Sequence, residues 1–209
     1  MSDSSGTAVH RAGIAAAYDS RAAEYVEKLG SVDQLASQDR ATITGWREEC
    51  AGRLLDAGCG PGHWSDVLAG GGRGDVLGVD ASSRFIRSAH QRFPHVPFVV
   101  GDLAATPLAT GAVGGVLAWF SVIHTEPAGV PAVLREFARV LAPGGSLLMG
   151  FFDGDPGSPF DHAVTTAYYW SADVLAELLA EQGFVVERAA TRQDPGVRKQ
   201  GELVASWSS

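Results

Sequence analysis

The chain has 209 residues, 45% of them hydrophobic and 19% charged, which suits one packed domain and excludes a mostly disordered chain. Acidic residues outnumber basic ones by 24 to 16, and the net charge of −8 argues against a surface built to hold nucleic acid. No apolar run approaches the roughly 18 residues that cross a bilayer, and the polar start Met1–Thr7 lacks the pattern of a secretory signal. Two cysteines, Cys50 and Cys59, are too few for a disulfide framework or a metal site. A cytoplasmic monomer or homodimer with no membrane partner is expected.

In chain order, residues 1–50 predict two helices, Ala12–Leu29 and Val32–Glu49. They form either a cap over a ligand site or plain surface packing. Residues 51–209 then alternate short apolar runs with helical patterns. Strands are expected at Arg53–Ala57, Asp75–Val79, Pro97–Val100, Val113–Ala118, Ser146–Phe152, Phe184–Ala190 and Glu202–Trp207. Helices are expected at His63–Ala69, Ser83–Arg92, Pro131–Leu141 and Ala172–Glu181. Pro143-Gly144-Gly145 should stop the third of these, Ser171 should cap the fourth, and Gly183 should end it. This alternation implies a Rossmann-like, doubly wound α/β fold with a seven-stranded, mostly parallel sheet and helices on both faces. The last two strands are separated only by residues 191–201, which show no helical pattern, so the C-terminal strand should run antiparallel. Gly154–Trp170 is a long insertion rich in Gly, Pro and aromatics, and segments of this kind often serve as lids.

The densest information lies in Asp56-Ala57-Gly58-Cys59-Gly60-Pro61-Gly62, a glycine-rich turn directly after a strand. It lacks the Gly-Lys-Ser/Thr ending of a phosphate loop, and His63 stands where the dinucleotide fingerprint needs its third glycine. The second strand ends in Asp80, placed to accept hydrogen bonds from both hydroxyls of a ribose. The third ends in Gly101-Asp102-Leu103, where Asp102 suits the exocyclic amine of an adenine and Leu103 its ring. Three strand tips thus offer an adenosine site with no equipment for phosphates.

With these motifs, residues 54–153 resemble the class I S-adenosylmethionine-dependent methyltransferases. Asp56-x-Gly58-x-Gly60-x-Gly62, Asp80 and Gly101-Asp102 match the family's glycine motif and its two acids. Val113–Glu126 and Leu134–Gly145 match its fourth strand and the helix and turn before its fifth, and Ala17-Tyr18-Asp19…Tyr25 resembles its cofactor-covering helix. The resemblance implies that Gly58, Cys59 and Gly60 approach the methionine part of S-adenosylmethionine while Asp56 braces the turn. It implies further that Ala81 and Ser82 lie beside the adenine and that Phe120 and Ser121 line the cofactor near its sulfur. Tyr18 and Tyr25 are either partners of its carboxylate tail or core residues of an amphipathic helix. Trp64 either packs over the cofactor or stabilises its own helix, and the Cys59 thiol reads as a small buried side chain rather than a nucleophile.

Methyl transfer rewards a dry, aligned site and needs a base only for a protonated, poor nucleophile. His124, just beyond the fourth strand, is one candidate base, with a turn-ordering role as the alternative; His162 in the insertion is the other. His63 reads as structural or cofactor-adjacent. Tyr168, Tyr169, Trp170, Phe151, Phe152 and Phe160 are expected to divide between a substrate wall and the core, and Arg188, Arg192, Arg198 and Lys199 to lie on a solvated loop. No Asn/Asp-Pro-Pro-Tyr/Phe run, Pro-Cys nucleophile or acidic metal cluster follows the fourth strand. A small-molecule acceptor is therefore expected, with a non-catalytic cofactor-binding module as the alternative and no role for nucleic acid.

Overall fold

The computed structural model of the chain describes residues 37–72, 74–162 and 165–208. Its sheet grows from β1 (Leu54–Ala57), a run buried at every position, as a strand covered on both faces must be. β2 (Val76–Asp80), β3 (Phe98–Val100), β4 (Val113–Trp119) and β5 (Leu141–Phe152) join it, with β8 (Phe184–Arg192) and β9 (Gln200–Trp207) at the far edge. The spatial order is β3-β2-β1-β4-β5-β9-β8. Pairs among β1 to β5 are parallel, and β9 runs antiparallel to both β5 and β8. The short link between β8 and β9 requires this reversal, because a parallel return needs a crossover of about a dozen residues or more.

Two apolar clusters cover the sheet faces. On one side, α1 (Ser37–Glu49), α2 (His63–Ala69) and α3 (Ser83–Arg92) bury Ile43, Trp46, Leu68, Ile86 and Ala89 against Leu54, Val76, Leu117, Leu148 and Val204. On the other, α4 (Val130–Val140) and α5 (Ala172–Ala180) bury Leu134, Phe137, Leu175 and Leu179 against Leu55, Val79, Val116, Leu147 and Leu203. Residues alternating along one strand serve opposite clusters, so a slip of one position would expose the core. Ser82 and Ser171 cap α3 and α5 by accepting the N–H of Phe85 and Val174.

Several sequence expectations need correction. Of the two helices expected before residue 50, the described part is Ser37–Glu49; Ala12–Leu29 lies outside the described residues, as do Tyr18 and Tyr25. Helix α4 ends at Val140, not Leu141, because Leu141 turns extended (φ −70°, ψ 136°) to pair with Val113. The strand then continues through Pro143-Gly144-Gly145 with an irregular register before Ser146 pairs with Gly115. The insertion 154–170 is not a structureless loop, since β6 (Pro159–Asp161) and β7 (Thr166–Tyr168) form an antiparallel hairpin inside it. No helix among the described residues is long and apolar enough to cross a membrane.

Candidate cofactor and acceptor site

The chain runs outward from β1 to β2 and β3, then returns to β4 on the other side of β1. This reversal opens a crevice at the carboxyl ends of β1 and β4, where open α/β sheets hold ligands. The two tips touch. A Cβ added to Gly58 would lie 2.2 Å from the Ser121 Cβ, and Gly58 has φ +83°. Only glycine lets the tips approach this closely. The N–H groups of Gly58 and Cys59 both reach the Val79 carbonyl, at 2.7 and 3.0 Å, which ties the turn to the end of β2.

The acids sit where the sequence places them. The Gly60 N–H donates to one Asp80 oxygen at 2.9 Å and the Ser82 N–H to the other at 2.8 Å, so the carboxylate is fixed beside the glycine turn. Asp102 is on the adjoining strand tip, because Gly101 donates to the Asp80 carbonyl at 3.0 Å and Asp80 pairs in register with Val100. The Ala104 N–H in turn holds the Asp102 carboxylate at 3.0 Å. Leu103 is half-buried against the core, and Ala81 is exposed at the rim. The loop bearing Asp102 and Leu103 is pinned by buried Glu136, which accepts the Thr106 N–H and hydroxyl (2.7 Å each) and pairs with Arg139. That anchor carries no local sequence signal.

Asp56 is buried, and the Ser65 hydroxyl donates to it at 2.6 Å. Sequence reading missed this partner because it lies on the following helix. Burial pushes the Asp56 carboxyl up to about 7, opposed by the Ser65 bond. Between pH 3.8 and 7 the folded chain keeps a proton that the unfolded chain has released, so this group's stabilisation is complete below 3.8 and fades as pH rises through 7. Buried His63 and His124 oppose it. Both fall from 6.5 to about 4 through burial, so their contribution is complete above 6.5 and fades as pH drops through 4. An Asp56→Asn chain should therefore gain on the native chain between pH 4 and 7, by up to about 4 kcal/mol. Urea unfolding across that range reads the difference; a pH-independent gap would mean that Asp56 is charged in the fold.

The Cys59 thiol is buried over Gly78, and burial followed by the charges of Asp80 and Asp56 raises it well above the ordinary thiol range, so it is an inert side chain. Trp64 is buried in the cluster with Cys59, Leu68 and Phe98. Phe120 has φ +52°, alone in the left-handed region among non-glycine described residues. Such strain collects at ligand sites. Its ring packs between Trp119 (5.4 Å) and Phe152 (5.0 Å).

Beyond Phe120, the two histidines meet at a ring separation of 5.1 Å. His124 Nδ1 lies 3.1 Å from the Thr166 carbonyl in β7. A carbonyl only accepts, so this contact assigns the proton to Nδ1 and makes Nε2 the basic nitrogen. Burial also lowers His162, with Arg198 adding to the effect. Of the aromatic residues, Phe151 and Trp170 fill the core, whereas Phe152 and Phe160 pack at its edge around His162. Arg198 and Lys199 lie exposed on the β8–β9 loop, as expected, whereas Arg188 and Arg192 belong to β8, and all four have partners. Arg188 pairs with Glu49, Arg192 with Asp39 and Lys199 with Asp153, and Arg198 stacks 4.7 Å over Phe160 while donating to the Tyr169 hydroxyl and the Asp161 carbonyl. Arg198 thereby fastens the β8–β9 loop to the hairpin.

Two observations fit the cofactor that the motifs imply. Gly60 combines φ +52° with open space, since an added Cβ would meet nothing within 4 Å. The Ser121 hydroxyl is buried against the turn with no hydrogen-bond partner. The residues present thus suit a ligand that brings both shape and a polar group to the crevice. No cluster among the described residues could hold a metal ion.

A sheet of this order, with a glycine turn at its switch point and acids on the next two tips, defines a nucleoside-binding α/β domain without phosphate equipment. Residues 54–145 match the family described as a methyltransferase domain, the domain of the class I S-adenosylmethionine-dependent methyltransferases that this region resembles. It is 34% identical over 122 residues to the demethylmenaquinone methyltransferase of Beutenbergia cavernae, covering 58% of this chain and 50% of that protein. The chain spans about half the length of the curated relatives it matches. Among solved structures, Burkholderia thailandensis 1,6-didemethyltoxoflavin-N1-methyltransferase superposes with a TM-score of 0.75 at 20% identity, covering 97% of this chain and 88% of that one. The magnesium protoporphyrin IX methyltransferase of Synechocystis, solved with S-adenosylmethionine bound, gives 0.75 at 19%, covering 95% and 97%. At these identities the two structures establish the shared fold.

Proposed function

We propose that the protein transfers the methyl group of S-adenosylmethionine to an O, N or C atom of a small molecule in the cytoplasm. The observation that carries this reading is the convergence of Gly60 and Asp80, which joins the glycine turn to a ribose-binding acid across two strand tips. The methyltransferases of menaquinone precursors, toxoflavin precursors and protoporphyrin similar to this chain support a small acceptor. When bound, the cofactor supplies an electrophilic methyl group on a sulfonium sulfur. Asp80 would hold its ribose, Asp102 and Leu103 its adenine, and the turn from Gly58 to Gly60 its amino-acid part. Phe120 and Ser121 would wall the reacting end, and the segment before residue 50 would cap the site.

The acceptor would lie against Phe152 and Phe160 with its nucleophile toward His124. As the new bond to the methyl forms and the carbon–sulfur bonding pair returns to sulfur as a neutral thioether, His124 Nε2 would take the nucleophile's proton and His162 would help fix that ring. The hairpin excludes water, which strengthens the electrostatics of the closed site.

Calorimetry with S-adenosylhomocysteine tests the reading directly. Micromolar binding is expected with no comparable heat from NADH; the reverse would overturn it. For turnover, methyl-tritiated S-adenosylmethionine is offered with a panel of phenols, quinols and aromatic amines. His124→Ala should lower kcat at least about 100-fold while changing S-adenosylhomocysteine affinity less than about threefold. Equal kcat would leave His124 as a residue that orders the turn.

A further inference from the structure

A second hollow opens on the α1 side of the sheet, at the ends of β4, β8 and β9. It is an open hollow of about 270 Å3, part of it open to solvent, and is lined by Gln38, Trp119, Phe120, Arg192, Gln200 and Glu202, among others. Its walls combine two aromatic rings with the Glu202 carboxylate and the Arg192 guanidinium. Trp119 and Phe120 meet edge to face at 5.4 Å.

The charges do not balance. Arg192 is engaged by Asp39 and by the Gln200 side chain at 2.5 Å, and Arg188 by Glu49 at 3.0 Å. Each nearby guanidinium therefore already has an acid, although the buried Arg192 Nε–H has no hydrogen-bond partner. Half-buried Glu202 receives a single hydroxyl, Thr42 Oγ1, at 3.3 and 3.4 Å from its two oxygens. One proton serves two oxygens, so most of the carboxylate's accepting capacity faces the cavity. Burial also pushes the Glu202 carboxyl above the usual carboxylate range, and this cost would fall if a donor or cation arrived.

We propose that this hollow binds a planar aromatic group bearing an amine or amidine-type N–H donor, with Glu202 receiving the donor and Trp119 and Phe120 holding the ring. The inference rests on the methyl-transfer reading in one respect: it makes the hollow the recognition end of the acceptor. Phe120 lines it and packs on Phe152, whose ring lies 5.8 Å from that of His162, so packed rings link it to the proposed reaction site. A carboxylate against aromatic rings selects for such cations and against acidic acceptors.

The probes are 2-aminoquinoline and 2-naphthoate, of similar shape and opposite charge, titrated calorimetrically into the full chain with and without saturating S-adenosylhomocysteine. Binding of 2-aminoquinoline at least tenfold tighter than 2-naphthoate is expected. Glu202→Gln should weaken it tenfold or more, Glu202→Asp by less, and neither should alter S-adenosylhomocysteine affinity. Absence of 2-aminoquinoline binding, equal binding of both probes, or unchanged affinity in Glu202→Gln would each overturn the proposal. The comparison of probes on the native chain stands even if a variant fails to fold. If S-adenosylhomocysteine itself does not bind, the methyl-transfer reading falls, and the titrations without it still decide the hollow.

Discussion

Replacing Gly58 by alanine should cost both stability and cofactor binding. The added Cβ would sit 2.2 Å from the Ser121 Cβ, far inside van der Waals contact, and the residue would keep φ +83°. The backbone contribution is about 1–3 kcal/mol, and forced overpacking adds about 1–3 kcal/mol. Relief requires the tips of β1 and β4 to part, which moves the turn away from Asp80. A lower urea midpoint and at least about a 100-fold loss of S-adenosylhomocysteine affinity, about 2.7 kcal/mol, are therefore expected. Adding Ser121→Gly removes the collision but leaves the backbone strain, so the double variant should recover only part of the stability. Native affinity and stability in Gly58→Ala would show that the strand tips do not define the pocket.

Asp80→Ala should weaken S-adenosylhomocysteine binding by at least about 100-fold, for two reasons that act together. The carboxylate is proposed to accept the ribose hydroxyls, and it also receives the N–H groups of Gly60 and Ser82. Its removal strips the ligand of two charge-assisted bonds and leaves both backbone donors to find water. The ligand-free melting temperature separates these roles: a small shift with a large affinity loss assigns the effect to the ligand. Unchanged affinity would refute the ribose assignment.

The sheet was legible because its signals are local. β1 is short, wholly apolar apart from Asp56, and followed at once by the glycine turn, while β2 and β3 each lead into an acid. The reversal of β9 could be read from chain length alone, since the link after β8 is too short for a crossover. The end of α4 was misread because Leu141 continues the apolar spacing of 133, 134, 137 and 140, and periodicity does not register where the backbone turns extended. The hairpin in the insertion escaped notice because its three-residue strands are too short to show alternation, and one begins with Pro159.

Within the candidate site, the residue types on the strand tips were legible and their supporting partners were not. Ser65, Thr166 and Glu136 act on Asp56, His124 and Thr106 through folding contacts that no motif encodes. The pairing of Arg192 and Arg188 was not legible because their acids, Asp39 and Glu49, stand about 150 and 140 positions earlier. The meeting of His124 and His162 likewise depends on the hairpin folding back onto the segment after β4.

Phe120 adopts a backbone angle that glycine would accept without penalty, yet the position carries a large ring. Glycine there would relieve the backbone strain but loosen the chain and open a gap between Trp119 and Phe152. The phenylalanine thus sets backbone strain against the ring that fills this wall. Under the proposed methyl transfer, a designer wishing to broaden the range of acceptors would start at this residue.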